Sequence, residues 1–340
     1  MKKAAFLFFM AIALYSCEQS EEDLPSIKHQ EKFNDPINTD FNTRILEEYF
    51  VTAIAFDKLG NAWIGTFSQG LIKYNPAETV VYNTSNSDFP NNAPIWDLAV
   101  DSQNNVWIGC EALVKFDGNQ FTTFNSGNSK VPEDFISSIA IDSKDNVWFA
   151  SCRFREGGLV KYDGVDFTVY TPDNSPMPAN LIHGIAIDVN DNVWIALTET
   201  VTMTSLVKIS RGKWTLFTSG DLGFSPYYIA NIGINSDDKV CAAIDYSLSS
   251  TSFNVGPQIF IFDGVSAEQL QFDNFTKVTS VTVDRSDHLW CATYDGYAIY
   301  DHDHWIVDDT TFSDFSVFTI EQAPDQKMWI GTGDGVFISE

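Results

Sequence analysis

The chain has 340 residues, is 44% hydrophobic and 14% aromatic, and sets 46 acids against 20 lysines and arginines for a formal charge of −26. That balance argues against a basic face for nucleic acid or anionic lipid. Charged residues make up only 19% of the sequence, and with so much apolar material the body is expected to fold around a core.

Residues 1–16 read as a targeting segment. Lys2 and Lys3 give the positive end, and Ala4 to Tyr15 form an apolar run too short to span a bilayer. Leu14-Tyr15-Ser16-Cys17 resembles a bacterial lipobox, which implies cleavage before Cys17 and acylation there. Several acyl chains give a durable anchor where one is marginal. The acidic run Glu18 to Asp23 looks like the surface-export signal of Bacteroidetes lipoproteins, and reads equally as a solvated tether. The expected organisation is therefore a signal peptide over 1–16, an acidic flexible tether over 17–30 and a folded domain over 31–340. The protein would be an outer membrane lipoprotein, facing the cell surface or the periplasm, with the lipid as its sole membrane contact.

From residue 51 onward one pattern repeats. Tryptophans fall at 63, 107, 148, 194, 290 and 329, with Cys241 in the equivalent place of a degenerate copy, at spacings of 44, 41, 46, 47, 49 and 39 residues. Six residues before stand Asp57, Asp101, Asp142, Asp188, Asn235 and Asp284, with Ala323 the exception. Asp and Asn tolerate the left-handed region and bond their own backbone, so a hairpin turn is expected between an apolar first strand and the tryptophan strand. Two residues after the tryptophan position come Gly65, Gly109, Ala150, Ala196, Ala243, Ala292 and Gly331, all small and on the tryptophan's face of the strand. A bulky ring beside a minimal neighbour suits close sheet-on-sheet packing. A third strand (Leu71-Ile72-Lys73-Tyr74, for instance) and an aromatic outer strand (Phe121-Thr122-Thr123-Phe124) complete each copy. The fold class is all-β: a seven-bladed β-propeller of four-stranded antiparallel blades.

The last copy, from Phe318 to the end, supplies three strands. An unpaired edge there would leave the ring open. A strand from about Pro36 to Ile45 is expected to complete blade seven. Cys110, Cys152, Cys241 and Cys291 show no zinc spacing and are expected as buried free thiols, with a Cys110–Cys152 bridge the one pairing to check.

The first strand runs toward the Asp/Asn turn and the second runs back, so long connections gather on the opposite rim: Asn83–Pro94, Ser151–Gly157, Leu197–Ser205, Thr218–Tyr228 and Ile244–Gln258. Variable loops on a rigid scaffold are where function resides. The candidate ligand residues on that rim are Trp96, Asp97, Arg153, Arg155, His183, Tyr228, Tyr246, Tyr294 and Phe318. Aromatic faces grip sugar rings or a partner's anchor residues, and the two arginines could clamp a carboxylate or sulfate. His183 opens a first strand near the channel, as a hydrogen-bonding group, a general base or a metal ligand. His302 and His304 fall in a turn between third and outer strands and read as solvated. No metal or cofactor site is expected.

The segment Ile54-Ala55-Phe56-Asp57-Lys58-Leu59-Gly60-Asn61-Ala62-Trp63-Ile64-Gly65-Thr66, with Met328-Trp329-Ile330-Gly331-Thr332, resembles the two-component regulator propeller repeat. In that family such repeats form periplasmic sensors that respond to glycans; here no kinase or DNA-binding segment follows. A weaker resemblance is to streptogramin lyases, whose chemistry uses paired channel histidines, a glutamate and magnesium. This chain offers His183-Gly184 alone, with Leu197 where a glutamate would follow. The expected function is recognition of a glycan or a protein partner on the long-loop rim, by a monomer without catalytic residues. The alternative is a polysaccharide- or lyase-type enzyme with a channel-mouth site at His183.

Overall fold

The computed structural model describes residue 37 and residues 39–153, 156–200, 203–224, 228–244, 258–271, 278–308, 311–312 and 315–340. Seven four-stranded antiparallel sheets follow one another around a central channel. Blade one spans 51–82, blade two 97–124, blade three 136–170, blade four 181–217, blade five 229–271 and blade six 278–308. Blade seven takes its inner strands from 317–338 and its outer strand from Thr43–Ile45. No described helix is long and apolar enough to cross a membrane.

The aspartate six residues before each tryptophan does more than shape a turn. Asp57 Oδ1 accepts the N–H groups of Leu59 and Asn61, both at 2.9 Å, while Oδ2 accepts Asn61 Nδ2 at 2.7 Å and the Trp63 indole N–H at 3.1 Å. The indole bond recurs at Asp101, Asp142, Asp188 and Asp284, the last with His288 Nδ1 where the others have asparagine. One carboxylate thus ties turn, asparagine and buried indole together. A carboxylate this buried is costly unless its lone pairs are filled. Burial by itself would raise the pKa of Asp188, and the bonds from Asn192 and Trp194 outweigh it, leaving the group below the ordinary value.

The small residues admit the neighbouring blade. A Cβ on Gly65 would lie 2.5 Å from Ile95 Cγ2, and one on Gly331 would lie 2.7 Å from Val51 Cγ1. Ile95 leads into blade two and Val51 opens blade one, and both are fully buried. Each blade therefore presses its entry residue into the gap under the previous indole.

On the turn rim the blades are also stapled edge to edge. The third residue after the aspartate takes positive φ in every blade: Gly60, Asn104, Asp145, Asp191, Asp238, Asp287 and Gln326. In blades two to six its side chain accepts an N–H from the preceding blade: Lys58 to Asn104, Ser102 to Asp145, Ser143 to Asp191, Val189 to Asp238 and Ser236 to Asp287. At the closure of the ring neither partner exists. Blade seven offers Pro324, which has no N–H, and blade one offers Gly60, which has no acceptor.

The N-terminal strand closes the ring instead, as expected, with Thr43, Arg44 and Ile45 opposite Ile338, Phe337 and Val336. Pairing covers three residues because Leu46 and Glu48 turn the chain away at φ 54° and 78°. Of the earlier part of the expected strand, Pro36 and Asn38 lie outside the described residues. Side chains extend the clasp. Arg44 donates to the Asp334 carbonyl at 2.7 Å and lies 4.9 Å from the Phe315 ring, and buried Phe41 meets Trp290, Tyr297 and Phe312 of the blade six side. The four described cysteines are free and buried, so Cys110 and Cys152 are not bridged. Burial pushes the Cys110 thiol up to about 12.

Candidate functional site at the channel mouth

The first strands of the blades carry a common irregularity. Pairing with the second strand slips between Val51 and Ala53, Ile136 and Ser138, Ile182 and Gly184, Ile229 and Asn231, Val278 and Ser280, and Val317 and Thr319. The skipped residues are Thr52, Ser137, His183, Ala230, Thr279 and Phe318. In blade two Trp96 holds the place, its N–H bonding the Gly109 carbonyl at 2.7 Å. All seven stand eleven residues before the tryptophan position, and all seven line a channel cavity of about 430 Å³. A β-bulge re-aims a side chain, and one at the same point of six blades, with Trp96 at that place in blade two, makes a ring of them at the mouth.

The channel wall is polar and joins the blades, through bulge residues and their neighbours. Thr52 Oγ1 donates to the Ile95 carbonyl at 2.6 Å, Ser138 Oγ accepts the Ile185 N–H at 3.1 Å, and Thr279 Oγ1 donates to the Val317 carbonyl at 2.7 Å. Asp97 belongs to this layer: its Oδ2 accepts the Ile139 N–H of blade three at 2.7 Å and its Oδ1 the Leu98 N–H at 2.8 Å. Desolvation still raises its carboxyl to about 6. Eight residues before the tryptophan position most blades place Ala or Gly, blade six has Thr282, and blade seven has Glu321. Desolvation, with the Asp97 charge second, pushes Glu321 up to about 8, so it is largely protonated at neutral pH.

Four of the expected ligand residues, Trp96, Asp97, His183 and Phe318, meet in this cavity. His183 is held on both sides, with Nε2 3.0 Å from Thr198 Oγ1 and Nδ1 2.9 Å from the Tyr228 hydroxyl. Burial pushes its imidazole down to about 4, which leaves it neutral at pH 7. Among the described residues no three His, Cys, Asp or Glu side chains converge as a metal site.

Above the channel the aromatic side chains form a connected arc. Ring centroids run from Phe135 to Trp96 at 5.7 Å, on to Phe67 at 6.5 Å, Phe50 at 5.3 Å, Phe318 at 4.7 Å and Tyr294 at 6.2 Å. All six rings are half-buried. Arg153, exposed, sets its guanidinium 5.7 Å from the Phe135 ring and so extends the arc outward. The Trp96 indole nitrogen is enclosed and has no hydrogen-bond partner among the described residues. Phe50 and Phe67 were not singled out in the sequence, although Phe50 directly precedes the blade one strand. Arg155 and Tyr246 lie outside the described residues.

Two stretches expected as loops are strand. The blade three hairpin continues through Val147–Arg153 and Glu156–Tyr162, and that of blade four through Val193–Thr200 and Met203–Ser210. The threonines of Leu197-Thr198-Glu199-Thr200 carry strand propensity that length alone concealed. The Thr218–Tyr228 connection contains one helical turn, Ser219–Leu222, whose Asp221 carboxylate accepts the Thr218 N–H.

The resemblance read from the repeat holds. A family model described as two component regulator propeller matches residues 88–112. No curated protein matches the chain. Among solved structures, the extracellular domain of the one component system BT4673 from B. thetaiotaomicron is 18% identical, with a TM-score of 0.69 over 86% of this chain and 40% of that one. Streptogramin B lyase is 12% identical, with a TM-score of 0.68 over 88% of this chain and 96% of that one. PorZ, a surface component of the type-IX secretion system of Porphyromonas gingivalis, is 14% identical, with a TM-score of 0.68 over 89% and 48%. The chain thus spans about two fifths of the BT4673 extracellular domain and half of PorZ. At such identities the likeness is one of fold.

Proposed function

We propose that this propeller is an extracytoplasmic recognition module, anchored by lipid at Cys17, that grips a glycan or a protein partner at the channel mouth. The observation that carries the reading is the continuous aromatic arc from Phe135 to Tyr294 above a polar channel. Flat, pre-packed rings lose little entropy on binding. The seven residues below are of six kinds, with threonine twice, which suits one asymmetric ligand. Cys17 and the tether lie outside the described residues, and the lipid anchor rests on the lipobox resemblance.

The test is a glycan array and a pull-down with the parent chain and alanine variants at Trp96, Arg153, His183, Tyr246 and Phe318. Binding lost at Trp96 and Phe318, without turnover of the captured ligand, supports recognition. Turnover abolished by His183→Ala would establish the lyase- or hydrolase-type alternative, which the streptogramin B lyase likeness keeps in view. The anchor is checked by mass spectrometry of the mature N-terminus and by loss of membrane association in Cys17→Ala.

A further inference from the structure

A second cavity, of about 520 Å³, opens far from the channel, between blades three and four on the turn side. Its cause is a single change in how the wedge between blades is filled. In blades one to six the residue at the end of the third strand, opposite the position before the tryptophan, is Tyr74, Phe116, Tyr162, Ile209, Phe262 and Tyr300. Of these six only blade four lacks a ring there, and in blade seven Ser339 stands opposite Met328. At the two preceding junctions that ring stacks on the next aromatic, Phe116 on Phe121 at 4.3 Å and Tyr162 on Phe167 at 4.4 Å. At the blade three–four junction Ile209 leaves room. What remains is Trp148 stacked on Tyr170 at 6.0 Å, with Trp214 from blade four 5.3 Å from Tyr170. Tyr170 and Trp214 are half-buried, so their rings line the groove with part of each still open to solvent.

The charge of the groove runs against that of the protein. Lys144, Lys161 and Arg211 line it with two acids, Asp142 and Asp191, in a chain of net charge −26. Both carboxylates are already engaged. Asp142 accepts the Trp148 indole and the Asn146 amide, and Asp191 accepts the Ser143 N–H and hydroxyl. Lys161 Nζ lies 5.3 Å from the Trp148 ring centroid. Lys144 and Arg211 form no ion pair within 4.0 Å among the described residues.

Arg211 is also held in a strained backbone. Ser210 pairs with Lys213, so Arg211-Gly212 is a two-residue turn with φ of 50° and 79°. The first place of such a turn favours Asn, Asp or Gly, and an arginine there costs stability. A cation kept at a strained position, unpaired, on the lip of a groove floored by rings, is what recognition of an anion requires.

We propose that the blade three–four groove is a second binding site, and that it takes an anionic oligosaccharide, a uronate or a sulfated sugar. The sugar ring lies on Trp214 and Tyr170, and its carboxylate or sulfate is held by Arg211 and Lys144. This site is independent of the channel mouth.

The experiment titrates the full chain with tetragalacturonate and with sulfated maltotetraose, read by tryptophan fluorescence at low and high salt, beside neutral maltotetraose and a polyglutamate peptide. An anionic sugar should bind more weakly as salt rises, and the two arms identify which anion is preferred. Arg211→Gly and Trp214→Ala should each weaken binding about tenfold or more. Arg211→Gly should meanwhile raise the melting temperature by about 2 °C, because glycine relieves the strain, which separates lost recognition from lost folding. Trp96→Ala should leave this binding unchanged. The proposal is overturned if neither anionic sugar binds, if neutral maltotetraose binds as well, or if polyglutamate binds as tightly and ignores Trp214→Ala. It is also overturned if Trp96→Ala abolishes the binding, which would move the ligand to the channel mouth.

Discussion

On the turn rim, Asp57, Asp101, Asp142 and Asp188 each gather the same turn, asparagine and indole donors, while on the opposite rim the seven bulge residues share only their place. The turn rim repeats because its task is the same at every junction: satisfy a buried carboxylate and hold the next blade. The bulge ring shares the task of holding the next blade only in part, through Thr52 and Thr279. Its backbone is positioned by the blade, and its side chains range from Ala230 to Trp96. The lesson is that a repeat protein can fix its geometry at one end of the strand and vary its chemistry at the other.

The sharpest way to break this division is at the closure of the ring, where Pro324 and Gly60 offer the turn rim no such staple. Deleting residues 31–46 removes Phe41, Arg44 and the closing strand, and should lower the melting temperature by more than about 10 °C, seen by calorimetry. Deleting 17–30 should barely move it. An unmoved midpoint in the first deletion would mean that ring closure does not depend on the clasp.

Next in size is Trp194→Ala, which empties a buried indole site and takes one donor from Asp188. We expect a loss of about 4 kcal/mol in urea unfolding. If it costs no more than a half-buried ring on the other rim, the two rims are not energetically distinct.

Glu321 tests the channel between them. Its folded pKa, about 8, lies above the ordinary value of 4.5, so its contribution to stability is complete below pH 4.5 and is lost as pH rises through 8. Glu321→Gln should therefore match the parent near pH 4 and melt a few degrees higher at pH 8. Parallel melting curves against pH would refute the buried neutral carboxyl.

Smaller effects are expected on the rims themselves. Trp96→Ala should cost about 1 kcal/mol of stability and nearly all ligand binding, the mark of a residue selected for contact. Asp145→Gly keeps the positive φ while deleting the acceptor for Ser102, so it measures the staple less the strain that glycine relieves. About 0.5–1 kcal/mol is expected, by denaturant titration.

Much of the fold was legible because the tryptophan spacing and the small residue two places on are local consequences of wedge packing. The clasp was legible too, since a three-stranded last copy demands a fourth strand. The Asp-x-x-x-Asn-x-Trp network was present in the sequence but reads as turn chemistry until the indole N–H is seen to reach the carboxylate. Trp96, His183 and Phe318 could be singled out as aromatic or titratable residues near strand starts. Their equivalence with Thr52, Ser137, Ala230 and Thr279 could not, because a bulge leaves no signature in side-chain type. Asp97 read as a rim ligand, and its carboxylate proves to bridge two blades inside the channel.

The sequence by itself determined the number of blades, their strand order and the identity of the two rims, since each follows from a pattern within some 45 residues. Only the tertiary structure decided which rings touch, which carboxyl is stripped of water and where a gap is left between blades. Those depend on neighbours a whole repeat away: Glu321 against Asp97 across the channel, or Ile209 where five other blades place a ring.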